Sequence, residues 1–262
     1  MTDPTRKHPL RSSKQDVRDA RLIPDTPQTR APTYRLAFAD PDFLTREELR
    51  PIRLQLEMLK PEMALDAEGI ESTIVLFGGA RIREGQGTLG HYYDEARRFA
   101  QMVTQRSMAM GGTHDVIITG GGPGVMEAGN RGAVDAGGRS IGLNIVLPHE
   151  QAPNGYVTPG LCFNFHYFAI RKMHFLMRAR AVCVFPGGFG TLDEMFESLT
   201  LIQTRRMAAI PFVLFGRAFW EKVINWQALA DAGVIAAEDL RLITFVETAE
   251  QALAAIDGWK AT

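Results

Sequence analysis

A chain of 262 residues with 45% hydrophobic content can bury one large core, and its length fits a single α/β domain. A formal net charge of −1 argues against a nucleic-acid polymer or an acidic membrane surface as partner, and the two cysteines, Cys162 and Cys183, are too few for a metal cluster. No apolar run approaches the roughly 18 residues of a membrane span, and the N-terminus lacks the apolar core of a secretory signal, so a cytoplasmic setting is expected.

Residues 1–34 are polar, mix Arg and Lys with Asp, and hold five prolines. This composition predicts a flexible tail ahead of a single domain at 45–262. Thr45 and Glu48 match a capping box, and Leu49, Ile52, Leu56 and Leu59 follow at helical spacing, with Pro51 near the first turn. Ser72 to Phe77 is a buried-strand run that ends in Gly78-Gly79-Ala80-Arg81, and a helix from about Tyr92 to Arg106 follows it. Val116 to Thr119 is the next strand; it runs into Gly120-Gly121-Gly122-Pro123-Gly124 and a helix from Val125 to Ala136. Ser140 to Val146 reads as a strand, and Tyr167 to Arg180 as a helix carrying Arg171, Lys172 and His174. Ala181 to Phe185 is the central strand. Further strands are expected at 210–215 and 242–246, each followed by a helix.

This alternation predicts an α/β fold: a single Rossmann-like, doubly wound parallel sheet with helices on both faces. Ligands in such sheets bind at the carboxyl ends of the strands, where the order reverses. The glycine-rich turns at 78–79, 120–124 and 187–190 all fall at such ends and can line one crevice.

The most informative stretch is Pro186-Gly187-Gly188-Phe189-Gly190-Thr191-Leu192-Asp193-Glu194. Leu192, Met195, Phe196, Leu199 and Ile202 recur at helical spacing after it, and Thr191 with Glu194 fits a second capping box. Glycines between a buried strand and a helix N-terminus leave backbone N–H groups uncovered at the positive end of the helix dipole, an anion cradle suited to phosphate. In the turn after Val116–Thr119 the dinucleotide fingerprint G-x-G-x-x-G is not met, because its third place falls on Val125 or Glu127, and neither the P-loop nor the H-E-x-x-H zinc motif occurs in the sequence. What stands out is a monophosphate-sized anion site beside the carboxylate of Glu194 and the guanidinium of Arg171. Cleavage of a ribosyl N-glycosidic bond builds positive charge on the sugar; Glu194 can stabilise that charge or take a proton from water. Arg171 can bind a phosphate or sugar oxygen, or pair with Glu194 and keep it ionised. Glu194 as a mere helix cap and Arg171 as a solvated surface charge are the structural alternatives.

At these residues the sequence resembles the LONELY GUY family of cytokinin riboside 5′-monophosphate phosphoribohydrolases, often mislabelled as lysine decarboxylases. Pro186 to Glu194 matches the family's P-G-G-x-G-T-x-x-E signature, and Arg171-Lys172 matches its upstream R-K element. The resemblance spans roughly residues 45 to 250 and is greatest to the longer bacterial members, through Gly78 to Arg81, Gly120 to Gly124, Gly142 to Ile145 and Leu147 to Gln151. It implies hydrolysis of a nucleoside 5′-monophosphate to free base and ribose 5-phosphate, with Arg171 and Glu194 catalytic. Phosphate and nucleotide contacts are expected at Gly79, Arg81, Gly121, Gly122, Gly124, Lys172, Gly187, Gly188, Gly190 and Thr191. It implies no metal and no organic cofactor, and a homodimer or a multiple of dimers. Asn144 and Glu150 are candidates to touch base or ribose; Phe163, Phe165, Tyr167 and Phe168 read as core or subunit contact. A nucleotide-binding or signalling module that does not turn its ligand over is the alternative function.

Overall fold

The computed structural model describes residues 10–147 and 152–260. Residues up to Leu56 form one unit and those from Glu57 onward another, the boundary falling inside a helix. The described residues of the first unit form short helices at Ser13–Asp19 (α1), Pro27–Arg30 (α2) and Pro41–Leu44 (α3), and none of their apolar side chains is buried. Thr45 closes α3, its hydroxyl donating to the Pro41 carbonyl at 2.8 Å. The long helix α4 then runs over Arg50–Ala67. The capping box expected at Thr45 and Glu48 is therefore not formed: a 3-10 turn at Glu47–Leu49 intervenes. Pro51 falls in the first turn of α4, where a missing N–H costs no intrahelical bond.

The second unit is built on seven parallel strands: Thr73–Phe77 (β1), Val116–Thr119 (β2), Ser140–Ile145 (β3), Cys162–Phe165 (β4), Ala179–Val184 (β5), Phe212–Phe215 (β6) and Thr244–Val246 (β7). Their order is β4-β3-β2-β1-β5-β6-β7. The chain winds outward from β1 to the β4 edge, then returns to the other side of β1 and winds outward again, so the order reverses between β1 and β5. Successive residues of β1 serve opposite faces. Ile74 and Leu76 pack with α5 (His91–Ala109), α6 (Val125–Asp135) and α11 (Ala249–Asp257). Val75 and Phe77 pack with the end of α4, α7 (Phe168–Met177) and α8 (Phe189–Gln203). Both faces of β1 are buried, which is why it reads as an unbroken apolar run rather than an alternating one.

The doubly wound parallel sheet is as expected, with one strand more. Cys162–Phe165 joins the edge, pairing with β3 from Gly142↔Cys162 to Ile145↔Phe165. Its Phe163 and Phe165 are buried while Asn164 faces out, an alternation too short to stand out. The single helix expected after the strand at 210–215 divides into α9 (Arg217–Val223) and α10 (Trp226–Asp231), because Asn225 Oδ1 accepts from the Ala228 N–H at 3.0 Å and starts a second helix.

Candidate active site

The turns after β1, β2 and β5 meet through Gly79. Its N–H donates to the Pro186 carbonyl at 2.9 Å, and its carbonyl accepts from the Val125 N–H at 3.3 Å. Above them opens a cleft of about 680 Å³, lined by all three turns and by the first turn of α8. Gly188 caps α8 with its backbone alone, and the first amide to bond back is Leu192, to the Gly188 carbonyl at 3.0 Å. The N–H groups of Phe189, Gly190 and Thr191 therefore have no intrahelical acceptor. Gly187 makes this turn: a Cβ there would fall 2.6 Å from the Thr191 Cβ. Thr191 is thus the third residue of the helix and not its cap, so the capping box expected between Thr191 and Glu194 does not exist, and Glu194 stands free of that structural duty.

Glu194 instead faces Arg171. Arg171 Nη1 lies 3.1 Å from Glu194 Oε1, with the two side chains 9% and 15% exposed. The guanidinium is held on other sides as well: Nε donates to the Leu143 carbonyl at 2.6 Å, and the group lies 5.0 Å over the Phe175 ring. Burial pushes the Glu194 carboxyl above the ordinary carboxylate range, against the pull of Arg171; Asp193 and Glu197 add to the rise and Lys172 opposes it. A carboxylate destabilised in this way is a better base than an exposed one.

Of the residues expected to act here, Gly79, Arg81, Arg171, Gly187, Gly188, Gly190, Thr191 and Glu194 line the cleft. Gly121, Gly122 and Gly124 do not line it. Gly121 has φ +71° and is packed against the Asn144 amide, and Gly124 has φ +73° and abuts Gly79 and Ala80, so neither place admits a side chain. Lys172 turns to α8, its Nζ 2.8 Å from Asp193 Oδ2 and 2.9 Å from Glu197 Oε2. Asn144 donates to the Phe163 carbonyl at 3.1 Å. Phe163 and Phe165 are buried in the core, whereas Phe168 is about half exposed on the cleft wall. Glu150 lies outside the described residues.

Sequence reading overlooked the parts that hold this site in place. Asn130 of α6 is fully buried; it accepts from Thr119 Oγ1 at 2.8 Å and donates to Ser140 Oγ at 3.0 Å. Asn154 Nδ2 donates to Asn130 Oδ1 at 2.9 Å and to the Gly121 and Gly122 carbonyls at 3.0 and 2.9 Å, which pins the β2 turn from below. A lone amide on the small-residue face of α6 was the available signal. The Glu57 carboxylate accepts from the His166 and Tyr167 N–H groups at 2.8 and 3.1 Å and so fixes where α7 starts. Among the described residues no group of three His, Cys, Asp or Glu could hold a metal ion, and no helix is long and apolar enough to cross a membrane.

Fold and site together define a doubly wound α/β protein with bare backbone amides and a buried guanidinium–carboxylate pair at its switch point. The family described as "Possible lysine decarboxylase" matches residues 126–256, half of the chain, and the chain belongs to it; this is the LONELY GUY family. Among curated relatives, the probable cytokinin riboside 5′-monophosphate phosphoribohydrolase LOGL5 of Oryza sativa subsp. japonica is 28% identical over 121 residues, 45% of this chain and 46% of that protein. Cytokinin riboside 5′-monophosphate phosphoribohydrolase LOG2 of Arabidopsis thaliana is 24% identical over 165 residues, 62% of this chain and 73% of that protein. The match thus spans about half the length of the rice relative. Among solved structures, that of TM1055 superposes with a TM-score of 0.51 at 20% identity over 72% of this chain and 99% of its own. The molybdenum cofactor binding protein of Rippkaea orientalis superposes with a TM-score of 0.51 at 18% identity, over 71% of this chain and 96% of its own. Both are likenesses of fold.

Proposed function

We propose that the cleft hydrolyses the N-glycosidic bond of a nucleoside 5′-monophosphate, releasing free base and ribose 5-phosphate. The carrying observation is the buried Arg171–Glu194 pair beside the amides that open α8. The 5′-phosphate sits against those amides and Arg81, which brings C1′ of the ribose toward Glu194. As the C1′–N bond breaks, its electron pair leaves with the base and positive charge gathers on the sugar. Glu194 faces that charge, or takes a proton from the water whose oxygen bonds to C1′; the base gains a proton as it departs. Arg171 holds Glu194 ionised and directed at the cleft. The apolar wall of Ile145, Leu147, Phe168 and Phe189 suits the flat face of a base. The printed activities of the rice and Arabidopsis relatives support this chemistry, and the reading carries with it a homodimer or a multiple of dimers in the cytoplasm.

The test is incubation with the 5′-monophosphates of adenosine, guanosine, cytidine, uridine and a cytokinin riboside, alongside the parent nucleosides, with released base followed by chromatography. Base appears from a monophosphate, with kcat/KM well above that of its nucleoside, because the cradle donates mainly to phosphate. Turnover is unchanged by EDTA. Binding of monophosphates without any base release would instead assign the fold to a nucleotide-binding module.

A further inference from the structure

Lys172 follows Arg171 on α7 and reaches the same stretch of α8 that Arg171 reaches. Its Nζ lies 2.8 Å from Asp193 Oδ2 and 2.9 Å from Glu197 Oε2, with the lysine side chain 17% exposed. The two carboxylates bracket Glu194, one residue before it and three after. Three acidic side chains therefore share one turn of α8, and two adjacent cations of α7 answer them: Arg171 takes Glu194, and Lys172 takes the other two.

Resting on the hydrolase reading of the cleft, we propose that Lys172 is a positioning residue, which ties α7 to α8 in the register that sets Arg171 against Glu194 and neutralises the carboxylates on either side of it. The lysine does not line the cleft, whereas Asp193 does, and its ammonium is taken up by the two carboxylates of α8. Asp193 and Glu197 are 57% and 40% exposed, and ion pairs with partners this open contribute little to stability. What the bridge supplies is geometry and charge balance. Among the described residues, Arg171 and Lys172 of α7, Asp193 and Glu197 of α8, and Arg81 of the turn after β1, which lines the same cleft, are the charged groups around Glu194. Without Lys172, the charges of Asp193 and Glu197 stand uncompensated near Glu194 and disfavour its ionised form.

The experiment compares Lys172→Met and Lys172→Arg with the wild-type chain, using the 5′-monophosphate it cleaves best. Lys172→Met lowers kcat about tenfold or more while KM stays within about twofold, as expected for a displaced catalytic pair with intact binding. Lys172→Arg restores most of the loss. In a background of Asp193→Asn with Glu197→Gln, Lys172→Met adds little further, since the charges it served are gone. Independently of turnover, the ¹³C carboxyl signal of Glu194, assigned by its loss in Glu194→Gln, titrates at higher pH in Lys172→Met than in wild type. A raised KM with kcat preserved would make Lys172 a phosphate ligand and overturn the proposal. An unmoved Glu194 titration, or an undiminished effect in the double-substituted background, would overturn it too. If the wild type releases no base from any monophosphate, the hydrolase reading falls by itself, and the Glu194 titration still decides the role of Lys172.

Discussion

Arg171 Nη1 lies 3.1 Å from Glu194 Oε1, although one residue is on α7 and the other on α8, with the whole of β5 between them in the chain. Because Glu194 does not cap its helix, its place in this pair is open to a substitution that separates charge from shape. Glu194→Gln keeps the size and an oxygen that can accept from Arg171, but it can neither carry negative charge nor take a proton. We expect kcat to fall about 10²-fold or more, the scale of a lost acid–base group, with nucleotide binding retained. Retention of near-normal turnover in the glutamine variant would remove Glu194 from the chemistry.

The same carboxylate links stability to pH. Burial raises the folded-state pKa of Glu194 above its unfolded value, which is about 4.3. Between those two values the folded chain binds more protons than the unfolded one, so the stability this group contributes is fully present below the unfolded pKa and is lost as pH rises through the folded pKa. The melting temperature of the wild type relative to Glu194→Gln should therefore drop as the pH of paired thermal scans is raised from about 4 toward neutrality. An advantage of the wild type that grew with pH would mean that Arg171 outweighs burial. The acid limb of kcat should likewise lie above the ordinary carboxylate range.

Gly120 is expected to be a site where activity and stability part company. A Cβ there would stand 2.6 Å from Arg171 Nη2 and 2.7 Å from Met126 Sδ, both flexible side-chain ends that can yield. Gly120→Ala should displace the guanidinium, lowering kcat about tenfold or more, while thermal denaturation changes by only a few degrees. Equal losses in both measurements would show that the turn itself had been broken.

Asn130 should behave in the opposite sense. It is 0% exposed, and removing its amide takes the acceptor from the Thr119 hydroxyl and one partner each from Ser140 Oγ and Asn154 Nδ2, which keep their others. Asn130→Ala should destabilise the fold by about 1–3 kcal/mol or more, the range for leaving a buried polar group unpaired, as read from urea unfolding. An unchanged midpoint would mean that the network contributes nothing to holding the turn after β2.

The order of elements, the parallel sheet and the glycine turns at strand ends were legible in the sequence, because each is a local property. A strand buried on both faces is an unbroken apolar run, and a tight turn into a helix needs residues without a Cβ. Where a signal was local but ambiguous, the reading slipped. Thr45 with Glu48 and Thr191 with Glu194 satisfy the capping pattern, yet the backbone of Gly188 ends the second turn and a 3-10 segment precedes the first helix. Cys162–Phe165 passed unnoticed because a short edge strand with alternating burial differs little from a loop until β3 is beside it. The separation of duties between Arg171 and Lys172 was beyond any local pattern. Both are cations on one helix, and only the packing of α7 against α8 directs one guanidinium to Glu194 and the neighbouring ammonium to Asp193 and Glu197. Sequence alone determined which residues carry charge and where backbone amides are bare; the tertiary structure decided which charges meet, because pairing depends on distances that winding around β1 creates between residues far apart in the chain.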